Sequence, residues 1–223
     1  GIAKQAGVPW VMDIKDSWDT FIPVPLKRIL ASRYSDAGGL TVNSRFEADI
    51  SRRWFPQSPV IVYSGVATNL IQSREMRWSV NDFRITLVGS TYRRNELEVF
   101  MEGVRRWLTS DKSPGRSNVV FTYAGGDAIV VKDASRVITG MCRVEILEYM
   151  PLEKLFRLCA DSAVNCYMWS PTTFHHKLLE LLCCRSPIIA IPGEHTEAVE
   201  IAEKVKGDLF CCATPDDLAH HLQ

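Results

Sequence analysis

Six short apolar runs, Ile85–Val88, Val119–Tyr123, Val144–Leu147, Ala163–Tyr167, Ile188–Ile191 and Leu209–Cys212, punctuate the chain after residue 82. Each is too short for a buried helix and rich enough in branched or aromatic residues for a buried strand. The segments between them change period. Leu97, Phe100, Met101, Val104 and Leu108 recur at helical spacing, as do Leu152, Leu155, Phe156 and Cys159. A third stripe runs through Phe174, Leu178, Leu181 and Leu182, and a fourth through Ala198, Ile201, Ala202 and Val205. Strands alternating with amphipathic helices predict a doubly wound parallel α/β sheet. Asp127–Ile138 carries no clear period and reads as a short helix or a loop.

The first sixty residues follow the same grammar in smaller compass. Val8–Ile14 reads as a strand, Leu26–Tyr34 as a helix, Leu40–Val42 as a strand and Val60–Tyr63 as another. Ser44 reads as the cap of a helix, with Glu47 three residues on completing a capping box. Ser64–Asp82 has no sustained period and is polar, as a linker is. The expected organisation is therefore a partial N-terminal α/β domain over 1–66, a linker over 67–81 and a second α/β domain over 82–223. The opening Ala-Gly-Val-Pro-Trp-Val-Met-Asp-Ile looks like the middle of a βα array, so the chain reads as a fragment.

Composition narrows the class rather than naming it. The 223 residues are 46% apolar and 23% charged, as in ordinary globular domains, and the formal net charge is zero. Bulk electrostatics thus give no reason to expect a nucleic-acid partner. All seven cysteines lie in the second half, without C-x-x-C or zinc spacing and among apolar neighbours. Buried reduced thiols and a reducing, cytoplasmic compartment follow as the expectation.

Candidate chemistry sits where the predicted strands end, since parallel sheets bind ligands beyond their carboxyl ends. Lys177 and Glu180 are three apart near a predicted helix start, on another face from the apolar stripe, and the helix is followed by the strand after Pro187. An ammonium beside a carboxylate there suits a phosphate next to a ribose, although the same spacing also suits a solvated pair worth a few tenths of a kcal/mol. Gly89-Ser90-Thr91-Tyr92-Arg93-Arg94 offers backbone amides and guanidinium forks for a diphosphate. Ala124-Gly125-Gly126-Asp127 allows close backbone approach or simply turns. Pro192-Gly193-Glu194-His195-Thr196 places a histidine in a candidate ligand loop, with Thr196 as a helix cap. Asp16 and Trp18 end the first predicted strand; the alternatives for them are a turn cap and a core side chain. No P-loop, G-x-G-x-x-G or nucleophile elbow occurs.

These segments together resemble the retaining GT-B glycosyltransferases of family 4 (glycosyl transferases group 1), over essentially the whole chain. Gly7-Val-Pro-Trp-Val-Met-Asp-Ile-Lys-Asp-Ser-Trp18 is similar to the family's "G-x-P-x-V-x-D-x-R-D-x-W", with Lys15 for the arginine. Thr41-Val42-Asn43-Ser44, Val60-Ile-Val-Tyr-Ser-Gly-Val66 and Ile85-Thr-Leu-Val-Gly-Ser90 resemble further family segments. The most specific match is Lys177-Leu-Leu-Glu180-Leu-Leu-Cys-Cys-Arg-Ser-Pro187-Ile-Ile-Ala190, which looks like "K-x-x-E-x-x-A-x-G-x-P-V-I-A".

The resemblance implies a Rossmann-like donor domain after the linker and the C-terminal part of a second Rossmann-like domain before it. It implies that Gly89, Ser90, Arg93 or Arg94, and Lys177 meet the donor diphosphate, and that Glu180 meets the ribose. Asp16, Trp18, Thr172, His195 and Thr196 are the expected cleft-lining residues. Transfer of the sugar to a glycan or lipid-linked acceptor, with retention and without a metal or other cofactor, is the implied activity. The acceptor-side catalytic residues fall outside this sequence. Two departures stand out: Thr172 occupies the position of a family glutamate, and Arg185-Ser186 replaces the glycine before Pro187. They keep open a non-catalytic nucleotide-sugar-binding paralogue and a GT-B sugar-nucleotide epimerase. Arg45, Arg52 and Arg53 near Trp54 and Phe55 add an expectation of peripheral contact with the inner, cytoplasmic face of a membrane.

Overall fold

The computed structural model describes residues 2–68, 82–113 and 118–223. They form two compact units, Gly1–Gly65 and Val66–Gln223. Most of the expected linker, from residue 69 to 81, lies outside the described residues.

The first unit runs α1 (Ile2–Ala6), β1 (Val11–Ile14), α2 (Trp18–Phe21), α3 (Val24–Arg33), β2 (Gly39–Val42), α4 (Arg45–Ser51) and β3 (Val60–Ile61). Its sheet is parallel in the order β1-β2-β3, with Ile14 opposite Val42 and Val42 opposite Ile61. The strand expected from Val8 begins only at Val11, because Pro9 has no N–H to give a ladder. The helix expected from Leu26 begins earlier, at Val24, with Pro25 tolerated in the first turn. The Ser44 hydroxyl accepts from the Glu47 amide at 3.1 Å, the first half of the expected capping box, while the Glu47 carboxylate accepts from Ser17 and the Trp18 backbone. Ile14, Trp18, Leu40, Val42, Ala48, Ile50 and Phe55 form the core.

The second unit begins with β4 (Phe83–Val88), α5 (Arg94–Thr109), β5 (Val119–Ala124), α6 (Ala128–Ala134), a 3₁₀ turn (Ser135–Ile138) and β6 (Arg143–Leu147). It continues through α7 (Leu152–Ala160), β7 (Val164–Trp169), α8 (Lys177–Leu182), β8 (Ile188–Pro192), α9 (Thr196–Lys204), β9 (Leu209–Cys211) and α10 (Pro215–His221). All six strands are parallel in the order β6-β5-β4-β7-β8-β9. The chain thus builds outward from β4 in one direction, returns, and builds outward from β7 in the other. β4 and β7 are neighbours whose following loops diverge, which makes the gap beyond Val88 and Trp169 the topological switch point.

The α5 stripe Leu97, Phe100, Met101, Val104 and Leu108 is buried, joined by Trp107, against Ile85, Leu87, Phe121 and Tyr123 of the sheet. The ambiguous Asp127–Ile138 segment resolves into α6 and the 3₁₀ turn. Two boundaries differ from the periodic reading. Phe174 is buried at 8% exposure, yet it lies in the loop before α8, which starts at Lys177. Val205 is 57% exposed and follows the end of α9 at Lys204, so helical spacing overran the helix there.

Candidate functional site

At the switch point the loop after β4 is held by the loop after β5. Gly89 turns at φ +88°, and its N–H donates to the Ala124 carbonyl at 3.0 Å. The Tyr123 hydroxyl donates to the Gly89 carbonyl at 2.8 Å and accepts from the Asp127 amide at 2.9 Å. Asp127 Oδ2 in turn accepts from the Thr91 amide at 2.7 Å and the Thr91 hydroxyl at 3.2 Å. The close approach read at Gly125-Gly126 is therefore made to the chain's own Gly89 loop, and it fixes that loop's shape. Ser90 is exposed at its tip.

The two arginines part company. Arg94 reaches Glu98 at 3.1 Å and Asp133 of α6 at 3.4 Å, towards the β5 side. Arg93, the residue preceding α5, is 70% exposed and has Glu96 at 3.4 Å.

Lys177 and Glu180 lie on the first turn of α8, Nζ to Oε2 2.5 Å, with side chains 20% and 24% exposed. Together with Val88 at the end of β4 and Leu152, Leu155, Phe156 and Cys159 of α7, they line a small apolar pocket. The structure thus brings Lys177 and Glu180 next to the end of β4, on the side of α7. Low exposure over an apolar floor separates them from the solvated pairs of the surface, where charges are worth little.

On the other side of β7 the residues are ones the sequence reading passed over. Trp169 ends β7, its indole N–H donating to the Thr173 carbonyl at 2.7 Å. His175 stacks on it at 4.0 Å and 16°, while Tyr92 meets it edge-on at 5.1 Å and 74°. Thr172 is exposed, its hydroxyl 2.8 Å from that of Ser170. Behind this loop Glu194 is only 6% exposed. It accepts from the Tyr167 hydroxyl at 2.6 Å and from the His195 amide at 2.9 Å. Burial nevertheless pushes its carboxyl up to about 7. Burial, with His176 and Lys177 nearby, takes the His175 imidazole down to about 3. Glu194 had a signal: an acidic residue between an apolar strand and a helix start. Trp169 had none, because an aromatic residue ending a strand reads as core.

His195, not Thr196, is the cap of α9. Its Nδ1 accepts from the Glu197 amide at 3.3 Å, and Thr196 is the first helical residue. In the first unit Asp16 is exposed after β1, whereas Trp18 is 7% exposed and packs edge-on against Phe55 at 5.0 Å. Phe55 is itself buried. Trp54 donates to Asp19 at 3.3 Å and has the Lys27 ammonium 5.5 Å over its ring, while Arg53 lies 3.7 Å from Asp19. Phe55 is thus a core side chain, whereas Trp54 stays half-buried beside Asp19 and Lys27. Among the described residues no helix is long and apolar enough to cross a membrane, and no group of three or more His, Cys, Asp or Glu is placed to hold a metal ion.

No protein-family model matches the chain, and no curated protein matches it in sequence. Solved structures do. HepE of Anabaena in complex with UDP superposes with a TM-score of 0.72 at 17% identity, over 99% of this chain and 63% of that one. A glycosyltransferase from Rickettsia africae gives 0.66 at 13% identity, over 99% and 67%. A putative UDP-N-acetylglucosamine 2-epimerase from Listeria monocytogenes gives 0.60 at 11%, over 98% and 59%. The chain spans about three fifths to two thirds of the length of these proteins. With its parallel sheets and the strand order of its second unit, the chain has the α/β fold of the GT-B glycosyltransferases.

Proposed function

We propose that the second unit binds a nucleotide sugar, and that the protein to which this chain belongs transfers the sugar to a glycan or lipid-linked acceptor. The observation that carries this reading is the convergence beside Val88 of the Gly89–Thr91 loop with Lys177 and Glu180 of α8. Lys177, with Arg93 from the other side, neutralises the diphosphate. Glu180 accepts from the ribose hydroxyls. The base lies towards β5 and β6, where Gly126, Asp127, Ile129, Glu148 and Tyr149 line a groove at the strand ends. As the glycosidic bond to the donor breaks, negative charge grows on the departing nucleoside diphosphate, and fixed cations contribute most at that moment. Retention at the anomeric carbon belongs to the same reading, as do a reducing compartment and independence of metal. Four of the seven free cysteines are buried, which supports the compartment.

Thr172 favours a second reading, a sugar-nucleotide epimerase or a nucleotide-sugar-binding protein without turnover, because it puts a neutral hydroxyl where the resembled family has a carboxylate.

Calorimetry on the 223-residue chain tests the site. A buried charge-assisted contact is worth about 1.5–3 kcal/mol, so Lys177→Ala is expected to weaken nucleoside diphosphate binding about tenfold to a hundredfold. Glu180→Gln is expected to weaken the nucleoside diphosphate while sparing free pyrophosphate. If Lys177→Ala binds UDP, GDP and ADP as tightly as the parent, the pair is a structural ion pair and the reading fails. Incubating the full-length protein with nucleotide sugars and a lipid-extract acceptor separates transfer, binding without turnover and isomerisation.

A further inference from the structure

We propose that Tyr92, Trp169 and His175 form an aromatic platform that receives the pyranose ring carried beyond the diphosphate. The inference rests on the donor-site reading above and extends it to the transferred group.

Position is the first argument. Glu180 faces Leu152 and Leu155 of α7, on one side of the switch point. Trp169 lies on the other side: its strand partner is Pro192 of β8, and His175 behind it donates its backbone N–H to Glu194. A ligand whose ribose lies at Glu180 and whose diphosphate crosses between the Gly89 loop and Lys177 carries its far end to the β7–β8 side. That end is where the three rings stand.

Chemistry is the second. The Trp169 N–H is already donated to the Thr173 carbonyl, so the indole is fixed in orientation and has no polar atom left to offer. One of its faces is covered by His175, and the Tyr92 edge contact ties the loop after β4 to the end of β7. Tyr92 remains 58% exposed. Two hydroxyls lie just after Trp169, that of half-buried Ser170 and that of exposed Thr172, 2.8 Å apart. A ring with a C–H face and a hydroxyl rim fits an aromatic wall beside hydroxyl groups. A sugar satisfies that description, and a free phosphate does not. The neutral imidazole of His175 keeps the wall uncharged.

Tyr92 is exposed, so changing it leaves the core intact, and it is the residue to test. In the 223-residue chain, affinities for UDP-glucose and UDP, and for GDP-mannose and GDP, are measured by calorimetry for the parent, Tyr92→Phe and Tyr92→Ala. Tyr92→Ala is expected to weaken the nucleotide sugar about threefold to tenfold, as loss of an aromatic contact does, and to leave the nucleoside diphosphate within about twofold. Tyr92→Phe is expected to keep the parent's preference. Equal loss for sugar and diphosphate overturns the inference, since Tyr92 then only shapes the Gly89 loop; no loss for either overturns it as well. A parent chain that binds none of the four ligands overturns the donor-site reading itself, which is a different failure.

Discussion

Gly125 lies so close to Gly89 that a Cβ at residue 125 would stand 2.3 Å from the Gly89 carbonyl oxygen and 2.4 Å from the Tyr123 hydroxyl. Backbone meets backbone there, so a larger residue has nothing flexible to push aside. Gly125→Ala is expected to cost about 1–3 kcal/mol, as overpacking does, and, on the proposed donor-site reading, to weaken nucleoside diphosphate binding by displacing the Gly89 loop. Gly126→Ala is the control, because a Cβ there meets nothing within 4 Å. Denaturant midpoints of the two variants should separate clearly; coincident midpoints would mean that the loops part at no cost.

The same junction depends on one hydroxyl. Tyr123→Phe keeps the ring in the core but strips the Gly89 carbonyl and the Asp127 amide of their shared partner. Two backbone groups left unpaired at a largely buried position should lower stability by about 1–3 kcal/mol. Loss of less than a few tenths would show that water replaces the hydroxyl without penalty.

The positions and type of the second unit's strands were legible because a parallel strand covered on both faces leaves a continuous apolar run, and all six runs became strands, whereas their order in the sheet came only from the structure. Helix starts were less legible. Phe174 has the right spacing for α8, but a buried aromatic residue in a loop has the same period as one on a helix. Lys177 and Glu180 could be paired from spacing alone. The Trp169–His175 stack could not, because it joins a strand end to a loop and no sequence period links such positions. Likewise His195 took the cap expected of Thr196 because an imidazole nitrogen can accept an amide proton as a hydroxyl oxygen does.

Arg185 follows α8 with φ +58°, at the place where the resembled family carries glycine. A side chain in the left-handed region costs roughly 1–2 kcal/mol, and glycine's greater freedom in the unfolded chain returns part of that difference. Arg185→Gly should therefore stabilise the chain by about 0.5–1 kcal/mol, while Arg185→Ala should change little. Chemical denaturation of both variants measures this. If glycine destabilises, the Arg185 side chain makes a contact that outweighs its backbone strain.

Glu194 and His175 meet behind Trp169 and titrate in opposite senses. The Glu194 carboxyl rises from 4.5 to about 7 on folding, chiefly because it is buried. The folded chain then holds a proton that the unfolded chain has lost, so this group's contribution falls as pH rises from about 4.5 to 7, by on the order of 3 kcal/mol. The His175 imidazole goes from 6.5 to about 3, again chiefly by burial. There the unfolded chain holds the extra proton, and stability is lost as pH falls from about 6.5 to 3. Between about pH 4.5 and 6.5 the two slopes cancel in the parent. Tyr167, Cys211 and His195 also face Glu194, but the first two have thresholds raised by burial and do not ionise in this window. Other carboxylates tilt every curve alike, so the informative quantity is variant minus parent. Glu194→Gln should gain stability on the parent as pH rises through that window, and His175→Phe, which keeps a ring on Trp169, should lose it. Urea denaturation at half-unit steps from pH 4.5 to 7.5 gives both differences. If both variants run parallel to the parent, neither group is desolvated, and water reaches both of them behind Trp169.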